Sequence, residues 1–227
     1  MNDTVIVITG ADPLHPDAIA AIPAGAVVIA ADGGLDHALA AGLQPVGVVG
    51  DMDSITDEGL AWAAAHARLE RHDPDKDHTD TELALEMAAD MNPGRLIMVS
   101  GGGDRLDHTI AAIGALGRPW LTSIPSIEGW WGRQHVHVLH GPATAHIELD
   151  VGTTISLIAT HGPCTGVGID GVQWPLELAE LAGLSGRGVS NVTTEPDIDI
   201  RVSTGILTVF VSHQLVDGQV DGQEVAS

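Results

Sequence analysis

Residues 46–54 read Val-Gly-Val-Val-Gly-Asp-Met-Asp-Ser, a short apolar run that passes directly into a glycine and two aspartates. The apolar residues are continuous rather than alternating, as is typical of a strand buried on both faces of a parallel sheet. Similar runs occur at residues 5–9, 27–30 and 96–99. These four segments predict the central strands of a parallel sheet.

Alanine-rich segments with helical periodicity lie between these runs, at residues 34–41, 56–67 and 80–91, and another follows the fourth run at 107–117. Thr79 and Glu82 are spaced as a capping box at the start of the third helix. The alternation of strands and helices predicts a doubly wound, mostly parallel α/β domain, which we assign to residues 1–133.

The second half of the chain has a different pattern. Residues 135–140 and 198–202 alternate between apolar and polar side chains, which indicates half-buried strands. Further strands are predicted at 145–149, 154–159, 164–169 and 206–211. We therefore predict an all-β sandwich domain over residues 134–213. A flexible tail is expected at 214–227, where Val-Asp-Gly-Gln occurs twice.

The charge of the chain limits its partners. Nine basic residues against 31 acidic ones give a formal net charge of −22. Such a field repels nucleic acid and anionic membranes, so we exclude both as partners. A phosphate-bearing substrate would have to arrive with a divalent cation, whose charge reverses the local electrostatics. A cationic second substrate would be attracted.

Three features predict a cytoplasmic location. The apolar runs are much shorter than the roughly 20 residues that cross a bilayer. The N-terminus lacks the positive region of a secretory signal. The single cysteine, Cys164, allows no intrachain disulfide and fits a reducing compartment.

Acidic residues cluster directly after the predicted parallel strands, at Asp32, at Asp51 and Asp53 and at 104–107, and another cluster at 73–77 follows a short strand predicted at 68–72. Ligands bind at this carboxyl edge in open α/β sheets. Taken singly, Asp32 and Asp107 could be helix N-caps and Asp80 a first-turn acid. Carboxylates converging on one edge would repel one another without a hard cation, so we predict a Mg²⁺ site.

Candidate phosphate contacts lie in the same loops. The glycines at 101–103 leave backbone amides open to an anion. Arg105 and Lys76, the only lysine in the chain, are placed beside the acidic clusters. The histidines lack zinc-ligand spacing and the chain has no P-loop motif, so neither a zinc site nor a P-loop kinase is expected.

Four of these motifs, at residues 32–34, 50–54, 76–85 and 105–108, resemble in order and spacing the thiamine pyrophosphokinase family. Residues 171–176 and 190–191 are similar to the thiamine-binding domain of that family. The resemblance implies transfer of the pyrophosphoryl group of ATP to the hydroxyl of thiamine, giving thiamine diphosphate and AMP. It also implies a homodimer with the acceptor bound between the subunits.

The resemblance assigns roles to individual residues. By the family pattern, Asp51, Asp53, Asp80 and Asp107 are the catalytic carboxylates that hold Mg²⁺ and the triphosphate, and Trp174 stacks on thiamine. The remaining expected binding residues are Asp32, Gly33, Lys76, Thr79, Gly102, Arg105, Ser190 and Asn191. The Trp130-Trp131 pair receives no role.

Three other functions are compatible with parts of this pattern. A pyrophosphokinase could act on another alcohol, such as a hydroxymethyl pterin. A nucleotide-sugar transferase also holds a metal and a diphosphate with an Asp-x-Asp motif. A binding or metal-sensing module without catalysis is the third alternative.

Overall fold

The computed structural model describes residues 3–103 and 105–212. The predicted tail at 214–227 lies outside these residues. The helices are α1 (Pro16–Ala20), α2 (Gly34–Ala40), α3 (Asp57–His66), α4 (Asp80–Ala89) and α5 (Leu106–Ala115). The strands are β1 (Thr4–Ile8), β2 (Val27–Ala31), β3 (Gly47–Gly50), β4 (Arg68–Arg71), β5 (Arg95–Ser100), β6 (Ser126–Trp131), β7 (Gln134–His140), β8 (Ala143–Glu148), β9 (Thr154–Ile158), β10 (Cys164–Ile169), β11 (Leu176–Leu181), β12 (Asn191–Val192), β13 (Asp197–Val202) and β14 (Ile206–Ser212).

The strands form two sheets. The larger has the order β12-β9-β14-β7-β6-β5-β1-β2-β3-β4. Its strands from β4 to β6 are parallel, and those from β7 to β12 are antiparallel. The smaller sheet, β11-β10-β13-β8, is antiparallel. The predicted fold class, a parallel α/β part followed by an antiparallel β part, is confirmed.

The two parts of the chain share the larger sheet. β6 and β7 form an antiparallel hairpin, so hydrogen bonding continues across residues 132–133. The second core lies between β9 and β14 of this sheet and β10 and β13 of the smaller one. The division into domains at residue 133 therefore coincides with a hairpin rather than with a break in the sheet, and it stays a prediction.

Both faces of the sheet are buried at β1, β2, β3 and β5, which explains the continuous apolar runs of these strands. In β1, Val5 and Val7 face the core that includes α4, whereas Ile6 and Ile8 face the core that includes Ala18 of α1. Burying one such side chain completely contributes about 1.5–3 kcal/mol. The strands are consequently fixed in register, and their carboxyl ends are held at one edge.

No helix in the described part of the chain is long and apolar enough to cross a membrane.

Candidate active site

A cleft of about 550 Å³ opens at the carboxyl edge of the parallel strands. Its walls come from the loops after β1 to β5, the first turn of α4, part of α5 and the last residue of β6. Of the predicted site residues, seven line the cleft: Asp32, Asp51, Lys76, Thr79, Asp80, Gly102 and Arg105.

Asp32 sits where the chain turns sharply from β2 into α2. Its backbone adopts a left-handed conformation with φ of 45°, and its N–H donates to the Val49 carbonyl at 2.8 Å. The following Gly34 is required by close packing, since a Cβ there would lie 2.3 Å from the Ile8 carbonyl oxygen. Gly33 is buried in the same turn, ahead of the first residue of α2.

The loop after β3 presents its aspartates by burying the residue between them. Met52 has φ of 69° and packs into the core beside Leu35 and Val48. Asp51 and Asp53 flank it, and the Asp53 N–H donates to Asp51 Oδ1 at 3.2 Å. Gly50 has φ of 150°, and a Cβ there would lie 3.0 Å from Asp32 Cβ. A glycine is therefore needed for Asp32 and Asp51 to approach each other.

Asp32, Asp51 and Asp53 form a three-carboxylate cluster whose ligand oxygens all lie within 4.8 Å of one another. Asp32 Oδ1 is buried and has no hydrogen-bond partner among the described residues. Oxygen ligands are those that Mg²⁺ prefers. The residues present fit a divalent cation, which would satisfy the orphaned oxygen and neutralise the crowded charge.

The electrostatics of Asp32 agree with this arrangement. Burial raises the pKa of Asp32, and the charges of Asp80 and Asp51 raise it further, while hydrogen bonds from Ser54 and Gly33 lower it. The net shift is upward, because an ionised carboxylate is poorly stabilised here without a cation.

Asp80 is paired with Lys76 at the start of α4. Lys76 Nζ lies 2.9 Å from Asp80 Oδ1, and both side chains are largely buried. Burial is the largest single influence and lowers the pKa of Lys76, but the contact with Asp80 and the charges of Asp80, Asp51 and Asp32 together outweigh it, so the pKa is raised. The predicted capping box is present, with Thr79 Oγ1 accepting from the Glu82 N–H at 3.2 Å and Glu82 Oε2 accepting from the Thr79 N–H at 3.1 Å.

The glycine loop after β5 packs against the loop after β1. A Cβ on Gly101 would lie 1.9 Å from the Asp12 carbonyl oxygen, which leaves no room for any other residue. Gly102 and Gly103 follow with φ of 103° and 111°. Gly102 lines the cleft, as does Arg105, which stands just before α5.

Asp107 is paired with Arg105 and is not part of the three-carboxylate cluster. Arg105 Nε and Nη2 donate to the two Asp107 oxygens at 3.0 and 2.8 Å. This contact lowers the pKa of Asp107 well below its usual range. Of the four expected metal ligands, the structure thus groups Asp51 and Asp53 with Asp32. Asp80 is instead paired with Lys76, and Asp107 with Arg105.

The three expected acceptor-binding residues meet away from the cleft. Asn191 is buried and binds the backbone of Trp174 twice, accepting from its N–H at 3.1 Å and donating to its carbonyl at 2.7 Å. Trp174 itself is 57% exposed. Ser190 has φ of 61° and its N–H donates to Ser156 Oγ. None of the three expected residues lines the cleft.

The sequence did not single out several residues that line the cleft, among them Thr9, Gly10, Thr109 and Trp131. Thr9 and Gly10 follow β1, so their position after a predicted parallel strand was an available signal. Trp131 ends β6, a strand that the sequence pattern did not predict.

Comparisons with known proteins agree with this architecture. The family model described as thiamin pyrophosphokinase, catalytic domain, matches residues 21–127. The model described as thiamin pyrophosphokinase, vitamin B1 binding domain, matches residues 140–207. A thiamine pyrophosphokinase of Bacillus subtilis (strain 168) is 33% identical over 214 residues, covering 93% of this chain and 99% of the relative. The chain belongs to the thiamine pyrophosphokinase family.

Solved structures of thiamine pyrophosphokinases have the same fold. A crystal structure of the enzyme from Bacillus subtilis matches with a TM-score of 0.81 and 27% identity, covering 93% of this chain and all of that one. Thiamin pyrophosphokinase from Candida albicans matches with a TM-score of 0.74 and 14% identity, covering 92% of this chain and 90% of that one, and so shows the fold alone.

The family ranges divide the site residues into two groups. The range 21–127 contains the three-carboxylate cluster, Lys76, Asp80 and Asp107, and the range 140–207 contains Trp174, Ser190 and Asn191. Trp131 lies between the two matched ranges.

Proposed function

We propose that this chain transfers the pyrophosphoryl group of ATP to the hydroxyl of thiamine, giving thiamine diphosphate and AMP. One observation carries the proposal within this family: three carboxylates with ligand oxygens within 4.8 Å of one another stand beside a cleft that Lys76, Gly102 and Arg105 also line. Carboxylates for a cation and donors for phosphates are therefore present together.

The residues divide the work of binding the triphosphate. Asp32, Asp51 and Asp53 would hold Mg²⁺, and Asp80 and Asp107 remain proposed members of this set. When bound, Mg²⁺ supplies charge neutralisation at the β- and γ-phosphates. Lys76 and Arg105 would contact phosphate oxygens, and the backbone around Gly102 would approach them closely. Thr79 lines the wall of the cleft, and Gly33 lies in the turn that positions Asp32.

The transfer itself needs positioning more than covalent help from the protein. The hydroxyl oxygen of thiamine attacks the β-phosphorus, the bond from that phosphorus to the α,β-bridging oxygen breaks, and AMP leaves. The hydroxyl proton passes to a carboxylate, for which Asp53 and Asp80 are the candidates.

We propose a homodimer in which the acceptor site is completed between subunits. Trp174 is exposed, lies outside the cleft, and is followed by the exposed side chains of Leu178, Leu184 and Val189. A second copy could cover these exposed side chains and bring Trp174 to a partner's cleft. A cation–π contact with the thiazolium of thiamine is worth about 0.5–2 kcal/mol. We also place the enzyme in the cytoplasm, on the basis of its single, buried cysteine, Cys164.

The test is product analysis with ATP, Mg²⁺ and a panel of acceptors. Thiamine should give thiamine diphosphate and AMP in equal amounts, and chelation of the metal should stop the reaction. Turnover of a hydroxymethyl pterin but not of thiamine would show that the acceptor is a pterin alcohol rather than thiamine. Release of a nucleoside diphosphate from a nucleotide sugar would indicate a transferase, and binding without turnover would indicate a non-catalytic module.

A further inference from the structure

Trp131 brings a large aromatic surface to the cleft. The chain has no tyrosine, one phenylalanine and five tryptophans. Among the described residues, Trp131 is the only one of these that lines the cleft. Its neighbour Trp130 is buried in a different core and stacks on His135, with ring centroids 4.5 Å apart. The two adjacent indoles therefore lie in different environments, Trp130 in a core and Trp131 at the cleft.

The position of the Trp131 ring depends on a glycine. A Cβ on Gly129 would lie 2.5 Å from Cζ3 of Trp131, so the six-membered part of the indole lies over the backbone of its own strand. Trp131 packs against the core that includes Ala115 and Leu116, and Ala112 of α5 packs against the same core. Trp131 of β6 and both Thr109 and Ala112 of α5 line the cleft.

The sheet topology gives the distance between Trp131 and the three-carboxylate cluster. Asp32 follows β2 and Trp131 ends β6, and β1 and β5 lie between these two strands. Adjacent strands are about 4.8 Å apart, so the two positions are separated by about 14 Å along the sheet edge. The glycine loop after β5 lies between them. A nucleotide whose terminal phosphates are near Asp32 would extend its ribose and base across this loop toward Trp131.

We propose that Trp131 is the platform on which the nucleobase of the nucleotide stacks. The inference rests on the proposed function, because it takes the cleft to be the ATP site. Stacking on an indole tolerates any base and favours the larger rings of purines. The metal-bound phosphates would then determine where the nucleotide lies, and Trp131 would contribute affinity and a preference for purine over pyrimidine nucleotides.

The decisive experiment compares a ligand that has a base with one that lacks it. Calorimetric binding of AMP and of inorganic tripolyphosphate is measured for the wild type, Trp131→Ala and Trp131→Phe. Loss of one base–aromatic stack weakens binding by about 5- to 100-fold. Trp131→Ala should weaken AMP by that factor and leave tripolyphosphate within about twofold, and Trp131→Phe should restore most of the AMP affinity.

Trp130→Phe is the matched control, since Trp130 is buried and does not line the cleft. Trp130→Phe should leave the affinities for AMP and for tripolyphosphate unchanged. The preference for ATP over UTP in kcat/KM should also narrow in Trp131→Ala. Unchanged AMP affinity in Trp131→Ala, or equal losses for AMP and tripolyphosphate, would overturn the inference. Absence of thiamine diphosphate from the wild type would instead overturn the proposed function, and the binding comparison would still decide the role of Trp131.

Discussion

Lys76 Nζ, from the loop before α4, lies 2.9 Å from Oδ1 of Asp80, the first residue of that helix, and this pair stands in the wall of the cleft. The pair places a positive charge within a strongly acidic chain, next to the three-carboxylate cluster. Burial lowers the pKa of Lys76, whereas Asp80 and, to a smaller extent, the charges of Asp51 and Asp32 raise it, and the net shift is upward. Lys76 therefore remains protonated at neutral pH and is available to a phosphate.

Replacing Lys76 by methionine should lower kcat/KM for ATP by about 10- to 100-fold, because a hydrogen bond to a charged group contributes about 1.5–3 kcal/mol. The KM for thiamine should change little. Arg68→Met is the matched control, since Arg68 pairs with Glu70 on the exposed strand β4. Steady-state kinetics with each substrate varied in turn measure both effects. Equal losses in the two variants would remove Lys76 from the nucleotide site.

Asp51→Asn should reduce turnover by at least about 100-fold, because a bound metal stabilises the transferred charge by several kcal/mol. The variant should require more Mg²⁺ for half-maximal activity and keep the far-UV circular dichroism of the wild type. Asp57→Asn, in the exposed first turn of α3, is the control and should retain activity. An unchanged Mg²⁺ requirement in Asp51→Asn would show that Asp51 is not a metal ligand.

The sequence predicted the edge on which the site lies because strand direction is determined by topology. When apolar strands are joined by helical crossovers, the strands run parallel. The residues that follow them then lie together at the carboxyl edge of the sheet. Asp32, Asp51 and Asp53 could therefore be placed together without coordinates. The order of the strands could not be derived in this way, because it depends on how each crossover packs.

Other features could not be predicted because they depend on contacts between distant residues. Nothing in the spacing of residues 105–107 shows whether Asp107 turns toward Arg105 or toward a metal. Strand β6 was not predicted because its Glu128 and Gly129 interrupt the apolar pattern; Glu128 is buried there only because Arg95 and His135 bind it. The role of Asn191 likewise required the fold, since its partner Trp174 is 17 residues away.

Asn191 should act on the acceptor only through Trp174. Asn191→Ala leaves buried polar groups unpaired, which costs about 1–3 kcal/mol of stability. It should also raise the KM for thiamine, as Trp174→Ala should by about 2- to 30-fold, with little change in the KM for ATP. If Asn191 only positions Trp174, the double variant should bind thiamine no worse than Trp174→Ala. Additive losses would instead indicate a direct contact between Asn191 and thiamine.

A buried polar group at the β6–β7 hairpin gives the protein a pH-dependent stability. Glu128 accepts from Arg95 and lies 2.9 Å from His135, and His137 stands opposite Glu128 in the sheet register. His137 Nε2 is buried without a hydrogen-bond partner among the described residues. Burial, followed by the electrostatic effect of His135, lowers the pKa of His137 to about 4, although Glu128 acts in the opposite direction.

The free energy of unfolding should therefore fall as the pH falls from about 6.5 toward 4, because the unfolded chain protonates His137 and the folded chain does not. Between pH 6.5 and 4.5 the loss should reach up to about 2–3 kcal/mol, and above pH 6.5 this group should have no effect. Glu128, whose pKa is lowered, loses its contribution only below its unfolded value near 4.5, so the two windows separate. Urea unfolding at a series of pH values measures the slope. His137→Leu should flatten it, whereas His66→Leu, at an exposed position on α3, should not; an unchanged slope in His137→Leu would assign the pH dependence to another group.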